Sequence, residues 1–416
     1  MSDARATIDA IWRLESPKLI GALARMVRDV GTAEDLAQDA LVAALEQWPG
    51  DGIPNNPGAW LMASAKHRAI DLLRRRTRVA LKHADVKRDL TDRQDSIPDF
   101  DAGLEDDVGD DLLRLIFAAC HPVLRTDARV ALTLRMLGGL TTQEIARAFL
   151  VPELTIAQRI VRAKKTLAKA RVPFELPRGD ERIARLSSVL DVIYLIFNEG
   201  YAATAGDDWM RPELCEDALR VGRVLAELLP LESEVHGLVA LMEIQGSRAT
   251  ARLGPAGEPI LLLDQNRAKW DQLLIRRGLA ALARGDALAG EARGPYLLQA
   301  TIAACHARAL RADDTDWKTI AALYSQLAEL TQSPIVELNR AVAIGMAEGP
   351  QSGLDHIDRL RDEPALQRYH LLSSVRGDLL QKLGRRDEAR VEFERAAAMT
   401  TNTRERALLL DRAARS

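Results

Sequence analysis

An all-α fold is predicted by three features of the sequence. Apolar residues recur at three- and four-residue spacing through most of the chain, alternating Val, Ile and Thr runs are scarce, and the composition is 47% hydrophobic but only 4% aromatic. At 416 residues the chain exceeds the roughly 250 to 300 residues at which single cores stop growing, so two to four domains are expected. The net charge of −3 does not exclude a nucleic-acid partner, because attraction to phosphate depends on local patches. Cys120, Cys215 and Cys305 are far apart and give neither a disulfide framework nor a C-x-x-C pair. Asp3, Arg5, Asp9, Arg13 and Glu15 interrupt the first apolar residues, and no stretch reaches the about 18 apolar residues of a membrane span. A cytoplasmic protein with no membrane role is expected.

Helical periodicity runs from residue 7 to about 80, broken at 48–57 by three prolines, two glycines and two asparagines. Before the break, Thr32-Ala33-Glu34-Asp35 reads as a capping-box-like helix start, and Ala37, Leu41, Ala44, Leu45 and Trp48 form one apolar stripe. Asp35, Gln38, Asp39 and Val42 lie on another face. That acidic and amide surface suits a basic or amide-rich partner helix, although a solvated face would look the same. After the break, Asn56 caps a helix with Pro57 at its first position. Here Lys66, Arg68, Arg74, Arg75, Arg76 and Arg78 outweigh the single Asp71, an excess that counterion release rewards on a phosphate backbone. A solubilising charge run is the plainer alternative.

The segment 85–111 is rich in Asp, carries Pro98, Gly103 and Gly109, and reads as an acidic linker. Helical periodicity resumes at 112–169. Thr141 and Glu144 form a capping box for a short helix, Val151-Pro152-Glu153 interrupts, and a second helix follows with Ile156, Ile160, Ala163 and Leu167 facing the core. Thr155, Gln158, Arg159, Arg162 and Lys165 face outward. The span 154–174 contains no acidic residue, so it can approach DNA without like-charge repulsion, and Arg and Gln are the side chains that read guanine and adenine edges. Two prolines and a glycine at 173–179 end this block and set a domain boundary near 175.

These residues resemble regions 2 and 4 of the sigma-70 family: an Ala-Glu-Asp-Leu-Ala-Gln-Asp helix at 33–39, a loop, Ala-Trp-Leu at 59–61, Ala-Ile-Asp-Leu-Leu-Arg-Arg-Arg at 69–76, and the helix-turn-helix at 141–167. The resemblance implies that Asp35, Gln38 and Asp39 touch the RNA polymerase core. It places Asn55 and Asn56 near a pocket for a flipped minus 10 base, sets Arg68, Arg74 and Arg75 against promoter DNA, and gives Thr155, Gln158, Arg159, Arg162 and Lys165 the minus 35 element. It departs from the family at Leu150 and Leu154, where many relatives carry glycine. The implied order is region 2 at 7–82, a linker at 83–110, region 4 at 111–174 and a helical extension at 181–416. The chain is thereby similar to extracytoplasmic-function sigma factors with a tetratricopeptide-like C-terminal array, an extension expected to regulate in cis and to meet a protein or small-ligand partner.

The array is read from helical patterns separated by Gly-Pro turns at 254–255, 294–295 and 349–350. Its clearest unit, at 377–396, has Leu-Gly, Ala, Phe and Ala at the offsets of a roughly 34-residue tetratricopeptide repeat, and a weaker copy runs through 339–357. Three apolar stretches, 191–201, 261–271 and 299–307, carry polar groups and tempt an active-site reading. Cys120-His121 and Cys305-His306 are sequence neighbours that point apart on a helix, and no P-loop, G-x-G-x-x-G or H-E-x-x-H occurs. No enzyme activity, cofactor or metal is therefore expected. A stand-alone helix-turn-helix regulator is the competing reading; it gives no reason for the 35–39 face followed by a basic helix.

Overall fold

Among the described residues, 2–84, 108–255 and 257–416 of a computed structural model, the regular structure comprises eighteen α-helices, four three-residue 3-10 turns and two two-residue strands. The chain packs as two units, Met1–Ile193 and Tyr194–Ser416, which divide inside one helix. Among the described residues no helix is long and apolar enough to cross a membrane.

In the first unit, α1 (Ser2–Val27), α2 (Val30–Asp51) and α3 (Pro57–Ala84) pack together. Ile8, Trp12, Leu19, Ile20 and Leu23 of α1 meet Leu36, Ala37, Ala40, Ala44 and Trp48 of α2 and Leu61, Ala65 and Ala69 of α3 in a buried core. The many alanines let the helix axes approach closely, and Trp48 packs edge-on to Trp60 at 5.3 Å. The helix expected from Thr32 begins at Val30, because Asp29 accepts the Thr32 amide at 2.6 Å and so acts as its cap. Asp35, the residue that would close a box on Thr32, is bonded instead to Lys164. The helix also runs through Pro49 to Asp51, since a proline in the last turn removes a single i to i−4 bond, and Gly52 closes it onto Trp48 O at 3.0 Å. Asn56 caps α3 as the sequence implies, accepting the Ala59 amide at 3.0 Å.

The helices α4 (Val108–Ala119), α5 (Thr126–Met136), α6 (Thr142–Ala148) and α7 (Glu153–Lys169) follow. Residues 85–107, which hold most of the expected acidic linker, lie outside the described residues. The capping box on α6 forms in both directions: Glu144 N donates to Thr141 Oγ1 at 3.1 Å, and Thr141 N donates to Glu144 Oε2 at 2.7 Å. Ile156, Ile160, Ala163 and Leu167 of α7 are buried. Between α6 and α7 the exposed Leu150 has φ +50°, so a side chain occupies the left-handed position that glycine fills without strain. The turn between α6 and α7 therefore forms without a glycine at this position.

After α8 (Gly179–Tyr201), the second unit is built from consecutive helices: α9 (Pro212–Leu228), α10 (Ser233–Gly246), α11 (Gln272–Ala289), α12 (Pro295–Arg308), α13 (Trp317–Thr331), α14 (Pro334–Glu348), α15 (Pro350–Asp358), α16 (His370–Lys382), α17 (Arg386–Met399) and α18 (Thr403–Arg415). All ten residues from Val235 to Ile244 of α10 are buried, the signature of a helix enclosed on every side, and α9, α11 and α12 surround it. Helices α16 and α17 form the pair expected at 377–396. Phe393, fully buried, lies where a Cβ on Gly377 would come within 2.8 Å of its ring. The ends of this unit are joined by a parallel pair, β1 (Ala205–Gly206) with β2 (Thr401–Asn402).

Asn402, with no solvent exposure, fastens that junction. Its Nδ2 donates to Ala203 O at 3.1 Å and Asp208 O at 2.9 Å, while its Oδ1 accepts the Arg404 and Glu405 amides that open α18. Every hydrogen-bonding group of the side-chain amide is used. Replacing Asn402 by Ala should therefore cost about 3 kcal/mol, the sum of a lost helix cap and two stranded carbonyls, read as a lowered denaturation midpoint for the second unit. Replacing Leu150 by Gly should do the opposite in the first unit, raising stability by up to about 1 kcal/mol as left-handed strain is relieved.

Candidate nucleic-acid interface

Helical geometry puts Asp35, Gln38, Asp39 and Val42 on one side of α2, and the structure leaves that side accessible: Asp35, Asp39 and Val42 are exposed and Gln38 is half-buried. Two of these residues already have partners. Asp39 Oδ2 lies 3.9 Å from Arg68 Nη1, a loose pair linking α2 to the basic helix. Asp35 Oδ1 accepts Lys164 Nζ at 2.9 Å, from the middle of α7.

Beside Asp35 is a residue that the sequence did not single out. Glu34 is 3% exposed, and its carboxylate takes Arg135 Nε of α5 at 2.9 Å on one oxygen and Lys164 Nζ on the other. Arg135 also donates to Leu140 O at 3.1 Å, tying the pair to the turn before α6. A signal was present, since Glu34 lies three residues before Ala37 and so extends the apolar stripe with a charge. Burial pulls the Lys164 ammonium down, but Glu34 and Asp35 outweigh it and the net shift is upward from the ordinary lysine value. Arg13 Nη2 of α1 meets Glu144 Oε1 of the α6 capping box at 2.7 Å, so charged contacts join α1 and α2 to the helix-turn-helix at two places.

On α3 the basic residues separate by environment. Arg74, Arg75 and Arg78 are exposed, Arg68 is half-buried beside Asp39, and Arg76 Nη2 reaches Thr32 Oγ1 at 3.3 Å. Asn55 and Asn56 are both exposed in the loop before α3, with the Asn56 oxygen engaged as the helix cap. Of the outward residues on α7, Gln158, Arg162 and Lys165 are exposed, whereas Thr155 and Arg159 are half-buried. Arg159 Nε is 3.3 Å from Asp127 Oδ2 of α5. The structure thus brings Gln158, Arg162 and Lys165 together as one accessible strip, with Leu154 at 68% and Val161 at 49% exposure beside it. Such a strip can pair with phosphates and base edges without first breaking an ion pair. Arg159 would have to leave Asp127.

Among the described residues no group of three or more His, Cys, Asp or Glu is placed to hold a metal ion. The buried Cys120 thiol lies 3.3 Å from Thr133 Oγ1, and burial pushes its pKa up to about 11, which leaves it without thiolate character at neutral pH.

Comparison with known proteins adds three matches along the chain. Residues 11–79 match sigma-70 region 2, residues 114–167 match sigma-70 region 4, and residues 185–286 match a family of unknown function, DUF6596. The chain is 42% identical over 394 residues to an uncharacterized protein of Rhizobium meliloti (strain 1021), covering 94% of this chain and 92% of that relative. It is 30% identical over 165 residues to the RNA polymerase sigma-H factor of Pseudomonas aeruginosa, covering 38% of this chain and 81% of that relative. No solved structure matches. The region 2 match takes in α2 and most of α3, and the region 4 match ends within α7, so both faces described above fall inside the matched segments.

The Glu34 cluster has a definite pH signature. Because the Lys164 pKa is raised in the folded chain, its contribution is full below the unfolded value of 10.5 and is lost only as pH rises through the higher folded value. Replacing Glu34 by Gln should cost about 3 kcal/mol by leaving Arg135 and Lys164 facing a neutral amide. In chemical denaturation, the stability gap between the unsubstituted chain and Lys164→Met should be flat through the neutral range and narrow only above 10.5.

Proposed function

The chain belongs to the sigma-70 family of RNA polymerase sigma factors, and we propose that it works as a sigma factor of the extracytoplasmic-function type. On this reading Asp35, Gln38 and Asp39 meet core polymerase. Asn55, Asn56, Arg68, Arg74 and Arg75 serve the minus 10 region, and Thr155, Gln158, Arg159, Arg162 and Lys165 serve the minus 35 element. The observation that carries the reading is the order of three accessible surfaces in one chain: an acidic and amide face on α2, a one-sided basic face on α3, and the Gln158, Arg162, Lys165 strip on α7. A stand-alone regulator would need the last of these alone.

The contacts between α2 and α7 add a requirement. The two promoter elements are about 25 base pairs apart, or roughly 85 Å of duplex at 3.4 Å per step, whereas Lys164 of α7 touches Glu34 and Asp35 directly. On these assignments, holding both elements at once on straight duplex would require α7 to move away from α2. We therefore read the observed arrangement as a resting form in which a polymerase-facing residue is engaged by the DNA-reading helix. The helical extension from 181 onward, tetratricopeptide-like in its last pairs, is proposed to control this opening in cis in response to a protein or small ligand, in the cytoplasm and without catalysis of its own.

The test is transcription from purified components: the full chain, core polymerase of the same organism and a promoter library. Specific initiation dependent on the chain is expected. Gln38→Ala with Asp39→Ala should weaken core binding about tenfold, near 1.4 kcal/mol, while Gln158→Ala with Arg162→Ala should leave core binding intact and erase sequence preference upstream. Sequence-specific DNA binding with no association with core polymerase would replace this reading by that of a stand-alone regulator.

A further inference from the structure

The three polar-bearing apolar stretches of the sequence converge in the second unit. Tyr201 ends the first, Arg267 and Trp270 belong to the second, and His306 to the third; Arg248 and Arg252, from the turn after α10, complete the group. Arg252 stacks on the Tyr201 ring, its guanidinium carbon 3.6 Å from the ring centre and 5.7 Å from that of Trp209. Arg267 lies 5.1 Å from the Trp270 ring centre. It donates from Nη1 to His306 O at 2.8 Å and Ala309 O at 2.7 Å, and from Nη2 to Thr315 Oγ1 at 3.0 Å. Arg248 sits 5.7 Å from both the Tyr201 and the Trp270 ring centres and is only 8% exposed.

The charge of this cluster is not balanced from within. Among the described residues no carboxylate forms an ion pair with Arg248, Arg252 or Arg267, and the Arg248 side chain makes no hydrogen bond; its Nε is buried without a partner. Asp314, the acid nearest in effect to Arg267, is paired with Arg311 at 3.1 Å. Burial, with Arg248 and Arg267 adding to it, drives His306 down to about 3, so its ring stays neutral and brings no negative charge. Its Nδ1 and the Trp270 Nε1 are also buried and unpartnered. Ring faces attract a guanidinium but do not satisfy its N–H groups. Arg248 is a buried cation without an acceptor, retained against a clear cost. Beside it Arg252 and Arg267 are half-buried and donate only to neutral oxygens, Arg252 Nη2 to Tyr201 O at 3.0 Å, and this uncompensated positive charge calls for an anion.

We infer that Arg248, Arg252 and Arg267 form a binding site for the phosphate group of a small ligand, with Arg248 as its principal unpaired donor. Phosphate is favoured over a monocarboxylate because it carries up to two negative charges and offers several acceptors, matching several guanidinium forks. The site lies wholly in the second unit, outside the surfaces assigned to polymerase and DNA, and stands whether or not the sigma-factor reading holds. It gives the extension a chemical class of ligand to respond to.

Calorimetric titration of the full chain with inorganic phosphate, against acetate and chloride at matched ionic strength, tests this. One phosphate-specific site is expected, together with a change in tryptophan emission, since Trp209 and Trp270 border the arginines. Arg248→Met should reduce phosphate affinity at least tenfold. Because it removes an unpaired buried charge, it should also raise the melting temperature of the unliganded chain. Should Arg248→Met fail to fold, the emission titration of the unsubstituted chain decides alone. Phosphate and chloride giving the same response, acetate binding as tightly as phosphate, or Arg248→Met keeping full affinity would each overturn the proposal.

Discussion

Glu34 is the point on which the arrangement of the first unit depends. A carboxylate left 3% exposed in an alanine-lined core costs several kcal/mol unless cations meet it, and its two cations come from α5 and α7 rather than from its own bundle. The packing of α2 therefore cannot be complete without the helix-turn-helix beside it. Arg135 carries the linkage further by gripping Leu140 O, which positions the glycine turn ahead of Thr141 and thus the capping box that starts α6. The second contact, between Arg13 and Glu144, joins side chains about 40% exposed, so solvent screens it and it adds little. Arg25 Nε of α1 also meets the nearly dry Asp111 Oδ2 of α4 at 3.1 Å, so the Glu34 cluster shares the joining with an α1–α4 contact.

How much of this was legible in the sequence depends on the range of the interaction concerned. Local signals were readable: the all-helical class, Asn56 with Pro57 opening α3, the Thr141 and Glu144 box, and the Ile156, Ile160, Ala163, Leu167 stripe all depend on residues within a few positions of one another. The α2 start was misplaced because two caps competed, and Asp29 prevailed once Asp35 was drawn to Lys164 some 130 positions away. No local pattern carries that information. The same limit hid Glu34: a charge on an apolar stripe reads as an error in the stripe until the helix that neutralises it is known. Of the five residues assigned to the outer face of α7, three are exposed, and Arg159 is drawn to Asp127 by a contact that periodicity cannot foresee.

Arginine illustrates why residue type alone is a poor guide here. Arg74, Arg75 and Arg162 are exposed, where a guanidinium costs nothing to hold and can be offered to phosphate. Arg135, half-buried, is met by a carboxylate and serves structure. Arg248 is more deeply buried, yet it meets the Tyr201 and Trp270 ring faces and no carboxylate. In the sequence the same three classes look alike, because what separates them is the presence or absence of an acceptor brought in by folding. The polar groups at 191–201, 261–271 and 299–307 were visible as anomalies; their convergence on one arginine cluster was not.

The energetics also bound how the resting form could be opened. On the proposed function, a polymerase that takes the α2 face would have to displace Lys164 from Asp35 and separate α7 from Glu34, exchanging a nearly dry ion cluster for solvated or newly paired charges. If that separation costs about 3 kcal/mol, apparent affinity for core falls roughly a hundredfold, since each 1.4 kcal/mol is a factor of ten. A nanomolar intrinsic affinity would then present as one near 0.1 μM, a range in which, on the proposed regulation in cis, a ligand that favours the open form would restore binding. Such a ligand can act only through a difference in its affinity for the two forms. A separation cost well below RT would leave nothing to control, and one approaching the whole binding energy would silence the chain; a largely shielded lysine between two carboxylates is the contact on which that cost turns.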